Sequence, residues 1–413
     1  MAKRIAFLSR LPALGHYSKT WGIDYLSQNG FEVFFLDVSY LIDGSKGQNL
    51  YLNQTNLTNC KIIVIRRLVE LDTFVKDRAD STVFIDFVGA LTEFNLTTGR
   101  VYKILKKYSA KYYIMANADI PSAHFIPNDS SSTFLGKVKK VLRNPNLLFE
   151  FFARKLIVVS VKLDILYQKP YRIFGIKDSS IVNNCVKRYG LSDSVITQIN
   201  SRDYDTYLEF KRDIAQKITS TETCVFLDEA HTNHPDWKLF GRTPLKEDEY
   251  ISSMNHFFDC VEEKTGLTVV IAGHPKSAFS EGNHPYGERV FTLDNTVELV
   301  AKSKMVIAHS STSINFPVLF AKPIVLVITR EFKNRIYMKH AVEAFAKALG
   351  LNQIDVDSAD EVKEFDIDIE KCCDYKSYLH TYVKNKDPIN KLTWEIVADA
   401  ASKDLEYQKN ILD

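Results

Sequence analysis

An α/β chain of two parallel-sheet domains is the fold class this sequence predicts, and three observations predict it. Short β-rich apolar runs alternate with longer amphipathic stretches, the pattern that yields parallel strands joined by crossover helices. The alternation runs through the first half and restarts at residue 223. At 413 residues the chain also exceeds what one hydrophobic core usually organises.

In the first half, strands are expected over 4–9, 32–37, 61–66, 82–86, 111–116 and 164–167, with helices between them. The helix over 17–29 ends at Asn29-Gly30, where glycine can take the left-handed conformation that closes a helix before the next strand. In the second half, strands are expected over 223–228, 268–272, 289–292, 305–308 and 323–327. The helix over 296–303 follows a cap at Asp294 or Asn295 and sets Val297, Val300 and Ala301 on one face. The charged, helix-prone stretch 204–217 serves as the connection, so the boundary falls within 205–222. The expected domains are therefore 1–215 and 216–385, with a C-terminal helix over 386–413 packing back on the first domain.

Hydrophobic residues at 45% and charged residues at 25% describe an ordinary globular protein. Lys plus Arg number 53 against 51 for Asp plus Glu, a net charge of +2, so the whole molecule has no electrostatic pull toward nucleic acid. The six cysteines show neither a CxxC pair nor metal-ligand spacing with histidine, which fits a reducing cytoplasmic setting. No signal peptide and no spanning apolar run is read. The segment 136–163 is locally basic, with Lys137, Lys139, Lys140, Arg143, Arg154, Lys155 and Lys162 among Leu and Phe residues. It fits either an anionic membrane surface at the inner face of the cell membrane or a helix packed on its own domain.

Three segments of the second half fall at the carboxyl ends of expected strands, where open α/β sheets place ligands. Asp228-Glu229 follows the first; one carboxylate can serve as general base, or Asp228 can cap a helix and Glu229 be solvated. Gly273-His274-Pro275-Lys276 follows the second, where glycine permits close backbone approach, His274 can donate to a phosphate or act catalytically by protonating a leaving group, and Lys276 can add charge; a loop histidine before a turn proline reads the same way. His309-Ser310-Ser311-Thr312-Ser313 follows the third, a hydroxyl-rich helix start whose free amides make an anion seat, with plain capping as the alternative. In the first half Gly15-His16-Tyr17 follows the opening strand and is a candidate acceptor-side loop, or simply a strand-helix turn.

The run TVELVAKSKMVIAHSSTSINFPVLFAKPIVLV resembles the nucleotide-binding half of GT-B glycosyltransferases, which implies two Rossmann-like domains facing a cleft. The order Asp228-Glu229, His274-Pro275, Ser310 to Ser313 is similar to that of bacterial sialyltransferases and capsule Kdo transferases, which use CMP-activated acidic sugars. By position, the resemblance implies that Asp228 or Glu229 deprotonates the acceptor while His274 with Ser310, Ser311 and Thr312 holds the CMP phosphate. Direct displacement with inversion follows. Ala230 departs from the pattern, standing where many of those sialyltransferases have glycine. The resemblance covers residues 223–327 and nothing of the first half.

The expected activity is thus metal-independent, cofactor-free glycosyl transfer in the assembly of capsule, lipopolysaccharide or another bacterial surface glycoconjugate, from a CMP-linked nonulosonate or Kdo to a glycan or lipid-linked acceptor. A UDP- or GDP-sugar transferase or a sugar-nucleotide epimerase is the alternative on the same two sheets. A non-catalytic two-lobed ligand-binding protein is the alternative of another class.

Overall fold

The computed structural model describes residues 2–15, 17–43, 57–89, 96–116, 120–121, 155–156, 158–213, 218–235, 237, 242–293, 295–365, 374–387 and 389–412. Within them the chain forms two compact units. The first draws on Met1–Asn117, Asp129–Asn200 and Asp387–Asp413, the second on Ala118–Asn128 and Ser201–Lys386.

The first unit holds a seven-stranded sheet in the order β3-β2-β1-β4-β5-β6-β7. Its strands are β1 (Arg4–Ser9), β2 (Glu32–Asp37), β3 (Lys61–Val64), β4 (Thr82–Phe87), β5 (Lys111–Ala116), β6 (Arg172–Gly175) and β7 (Ile196–Gln198), all paired in parallel. The second unit holds a six-stranded parallel sheet, β10-β9-β8-β11-β12-β13. Its strands are β8 (Thr223–Leu227), β9 (Thr268–Ala272), β10 (Val290–Thr292), β11 (Met305–Ala308), β12 (Ile324–Ile328) and β13 (Gln353–Asp355). In both sheets the first strand of the unit sits inside, the next two step one way and the fourth steps the other way. That is the doubly wound order, so both units are Rossmann-like and the α/β class holds.

The strand runs are apolar because helices cover both faces: β1 and β8 bury every residue but the first. Four differences from the expected elements have physical causes. Residues 164–167 form turns and bends, with Asp164 left-handed at φ 55°. The strands that complete the first sheet are instead β6 and β7, and β13 completes the second. These are three- or four-residue strands, too short for an alternating signal to stand out. The opening helix is two pieces, Tyr17–Thr20 and Ile23–Gln28, broken at Gly22. Gly22 has φ 62°, and a Cβ there would lie 2.1 Å from the Trp394 indole, so the break lets the C-terminal helix press against the chain. The expected connector belongs to the second unit, which takes the whole helix Arg202–Asp213.

The helix Thr393–Leu412 packs on the first unit's sheet, with Val397 and Ala401 fully buried in the core beside Ile5, Phe7 and Phe35. Most of the basic segment, 136–154 and residue 157, lies outside the described residues. Among the described residues, no helix is long and apolar enough to cross a membrane, and no cluster of His, Cys, Asp and Glu could hold a metal ion. Cys60, Cys185, Cys224 and Cys260 are free thiols.

Candidate functional site

Sheet register brings the three singled-out segments together. Phe226 pairs with Ile307 and Leu227 with Ala272, so β8, β9 and β11 end level. The gap between β8 and β11 is the point where strand order reverses, the place where doubly wound sheets open a crevice for ligands. A cavity of roughly 400 Å³ lies there, walled by Glu229 and His231 after β8, His274 after β9, and Ser310, Ser311 and Thr312 after β11. Ile120, His234, Trp237 and Arg242 complete the wall.

The acidic pair divides its roles. Asp228 is buried, and its Oδ1 accepts the Ala230 amide at 3.0 Å, an Asx-type turn that swings the chain out of the sheet. Ala230 takes φ 53°, which explains why glycine would stand at this position and shows that alanine can serve. Glu229 then reaches the cavity, where Oε1 accepts the Ser310 amide at 3.0 Å and Oε2 lies 3.5 Å from His231 Nε2. Burial alone would raise the Glu229 carboxyl. The adjacent His231 and the Ser310 amide outweigh burial and hold it below its ordinary value. Burial dominates at Asp228 and pushes it up to about 6, against the Ala230 amide, His231 and the Tyr286 hydroxyl.

The hydroxyl-rich turn differs from the expected anion seat. It opens a three-residue 3₁₀ turn, Thr312–Ile314, before the short helix Asn315–Leu319, so no long helix dipole points at the cavity. Ser311 caps this turn by accepting the Ser313 amide at 3.2 Å. The Ser310 amide is already taken by Glu229, which places the chain's own carboxylate where the sequence suggested a phosphate. What the turn offers a ligand is the hydroxyls of Ser310 and Thr312 on the cavity wall.

His309 is corrected outright: it is fully buried, its Nδ1 meets the Val327 carbonyl at 2.7 Å and its Nε2 the Tyr250 hydroxyl at 3.0 Å. Burial, with His231 nearby, lowers it to about 4, so the neutral ring donates from Nδ1 and accepts at Nε2. No ring nitrogen is left for a ligand. Gly273 is also reassigned, since a Cβ there would lie 2.3 Å from the Phe291 ring; glycine is needed for packing between β9 and β10, not for approach to a phosphate. Pro275 and Lys276 are exposed, and the Lys276 amide donates to His274 Nδ1 at 3.1 Å, which fixes the tautomer with the proton on Nε2. Tyr17 is a core residue stacked on Trp21 at 3.9 Å, not an acceptor contact. Gly15 sits in the turn before it, and His16 lies outside the described residues.

The wall residues to which the sequence assigned no role are Ile120, His231, His234, Trp237 and Arg242. His231 and His234 lie just after the acidic pair, and that proximity was the available signal. Asn233 binds the loop after β9 through Ser277 Oγ (3.3 Å) and the Ala278 amide (3.1 Å), bringing the His234 and His274 rings edge to face at 4.6 Å. Arg335 donates to the Thr243 and Pro244 carbonyls and steadies the stretch that carries Arg242. Among the described residues, Trp237 Nε1 is buried without a hydrogen bond on the cavity wall, whereas His231 Nε2 faces Glu229 Oε2 at 3.5 Å. An orphaned donor at a cavity is what a ligand would satisfy.

The two perturbed buried groups predict an acid-range signature. Asp228, raised from 3.8 to about 6, lends stability that is complete below 3.8 and lost as pH rises through 6. His309, lowered from 6.5 to about 4, lends stability that is present above 6.5 and lost as pH falls through 4. The two slopes oppose each other in the wild type. Asp228→Asn keeps the Ala230 contact and removes one slope, so its stability relative to wild type rises by about 2 kcal/mol between pH 4 and pH 7. Urea denaturation at both pH values measures this; an offset independent of pH would refute it.

No protein-family model and no curated protein matches the chain. Among solved structures it is similar to UDP-GlcNAc 2-epimerase from Methanocaldococcus jannaschii, at 12% identity over 98% of this chain and 99% of that one, with a TM-score of 0.47. It is similar to Acinetobacter baumannii MurG at 9% identity over 97% and 99%, TM-score 0.45. It is also similar to the calicheamicin glycosyltransferase CalG4 at 7% identity over 99% and 98%, TM-score 0.43. At these values the likeness adds nothing to the two parallel-sheet units that the strand order itself establishes.

Proposed function

We propose that this chain is a glycosyltransferase whose second unit takes a nucleotide-activated sugar at the cavity between the ends of β8 and β11. The observation that carries the reading is the meeting of one anchored carboxylate, Glu229, with His231, His234, His274, Arg242 and the hydroxyls of Ser310 and Thr312 around one cavity. Glycosyl transfer needs both halves of that set. The acceptor hydroxyl attacks the anomeric carbon, the bond from that carbon to the phosphate oxygen breaks, and the nucleotide leaves with the electron pair. Glu229 takes the acceptor proton. His274, with its proton on Nε2, and Arg242 face the charge that develops on the departing phosphate.

This division makes a metal dispensable and direct displacement inverting. The acceptor is a glycan or lipid-linked sugar of the bacterial surface, and the enzyme works in the cytoplasm. The donor nucleotide is the finer question. Resemblance over 223–327 favours CMP, with a UDP or GDP donor as the alternative; because Glu229 holds the Ser310 amide, the phosphate of any of these donors would be met by the histidines, Arg242 and the Ser310 and Thr312 hydroxyls.

Thermal shift with CMP, UDP and GDP, each with EDTA and with magnesium, tests the proposal, because a ligand of the native state raises its melting temperature. One nucleotide raises Tm equally under both conditions, and Arg242→Ala abolishes the shift. No shift with any nucleotide overturns nucleotide-sugar use. A shift without acceptor-dependent product turns the reading to an epimerase or to a binding protein.

A further inference from the structure

The first unit carries an apolar groove of roughly 720 Å³ far from any element of the cavity just described in sequence. Leu68 and Val69 of the helix Leu68–Arg78, Ile104 of the helix Leu96–Lys107, and Ile165 and Leu166 form its floor. Val69, Ile165 and Leu166 are each at least half exposed, at 58%, 60% and 50%. Leu156, Val159 and Leu163 are also exposed just upstream in sequence and recur at helical spacing. A contiguous exposed patch of this kind marks an interaction surface.

Its rim is cationic. Arg100, Lys103, Lys106 and Lys107 border the groove. Asp164 neutralises Lys106 at 2.8 Å and Asp72 neutralises Lys107 at 2.9 Å. Among the described residues Arg100 and Lys103 have no acidic partner, and Lys162 is exposed beside Leu163. The occupant must therefore be both apolar and anionic. A second copy of this face would bring like charges together. The segment 136–154 would do the same, since its sequence carries Lys137, Lys139, Lys140, Arg143 and Arg154 against a single Glu150.

We propose that this groove docks on an anionic phospholipid bilayer, with Val69, Ile165 and Leu166 at the acyl boundary and Arg100 and Lys103 on lipid phosphates. The proposal stands apart from the sugar-transfer reading, and its test needs no substrate. The full chain is sedimented with vesicles of equal parts phosphatidylglycerol and phosphatidylcholine, and with phosphatidylcholine alone. Wild type sediments with the first and not the second. Arg100→Ala with Lys103→Ala weakens binding about thirtyfold, from about 1 kcal/mol per cation. Val69→Glu with Leu166→Glu abolishes binding, and because these side chains are exposed both variants keep the wild-type Tm. The reference variant neutralises Lys137, Lys139, Lys140 and Arg143. If wild type fails to sediment with the anionic vesicles, or sediments equally with both kinds, the proposal is overturned. It is equally overturned if the groove variants bind like wild type while the reference variant alone loses binding.

Discussion

Glu229→Gln lowers kcat by about 10²- to 10⁴-fold, the range that removal of a positioned general base produces. Gln keeps the shape of the side chain and an oxygen to accept the Ser310 amide, so the turn after β11 stays in place and the loss reports chemistry rather than folding. The same substitution removes the only carboxylate that the described residues place on the cavity wall. Binding of the anionic donor should then hold or tighten, which splits the effect into kcat with no rise in KM.

The pH profile supplies an independent reading. His231 and the Ser310 amide hold the Glu229 carboxyl below its ordinary value, so the acid limb of kcat/KM sits below that of an unperturbed glutamate. Asp228, which burial raises to about 6 and which is absent from the cavity wall, would put that limb higher if it were the base. Asp228→Asn therefore leaves kcat within a few-fold of wild type. A Glu229→Gln enzyme that turns over within threefold of wild type, or an acid limb that moves with Asp228→Asn, would end the assignment.

Much of this was legible in the sequence, and the reason is local. Strands such as 4–9, 32–37, 111–116, 268–272 and 305–308 are buried on both faces, so each prints an uninterrupted apolar run that needs no partner to be recognised. The positions of Glu229, His274 and Ser310 followed from the rule that ligands gather at strand carboxyl ends. What stayed hidden depends on contacts between distant residues. Nothing local separates Asp228 from Glu229; the Asx-type turn and the left-handed Ala230 do, and both are features of the folded backbone. His309 reads as a ligand beside four hydroxyl residues until Val327 and Tyr250 claim its nitrogens. Gly273 reads as a phosphate approach until Phe291 is seen against it.

Asp404→Ala costs the first unit about 3 kcal/mol, the largest single-residue effect expected outside the apolar core. Asp404 sits on the C-terminal helix, 4% exposed, and accepts from Arg172 Nε and Nη2 and from the Tyr113 hydroxyl, all at 2.5 Å. Its backbone carbonyl accepts Lys111 Nζ at 2.7 Å. One carboxylate thus ties the last helix to β5 and β6, elements that precede it by more than two hundred residues. Removing one partner of a buried pair costs about 3–5 kcal/mol because the other charge is stranded. The Arg172 side chain is 27% exposed and can recover some hydration, which puts the expectation at the lower end. Burial and Asp404 together push the Tyr113 hydroxyl well above its ordinary value, so it remains a neutral donor and loses its acceptor in the variant. Trp21 and Trp394 lie in this unit and Trp237 in the other, so fluorescence in a Trp237→Phe background follows the first unit alone through urea unfolding. Asp404→Ala combined with Arg172→Leu should recover most of the loss, since the stranded cation goes with its partner. A single variant that loses less than about 1 kcal/mol, or a double variant no more stable than the single, would show that apolar burial around Val397 and Ala401 holds the helix without the ionic tie.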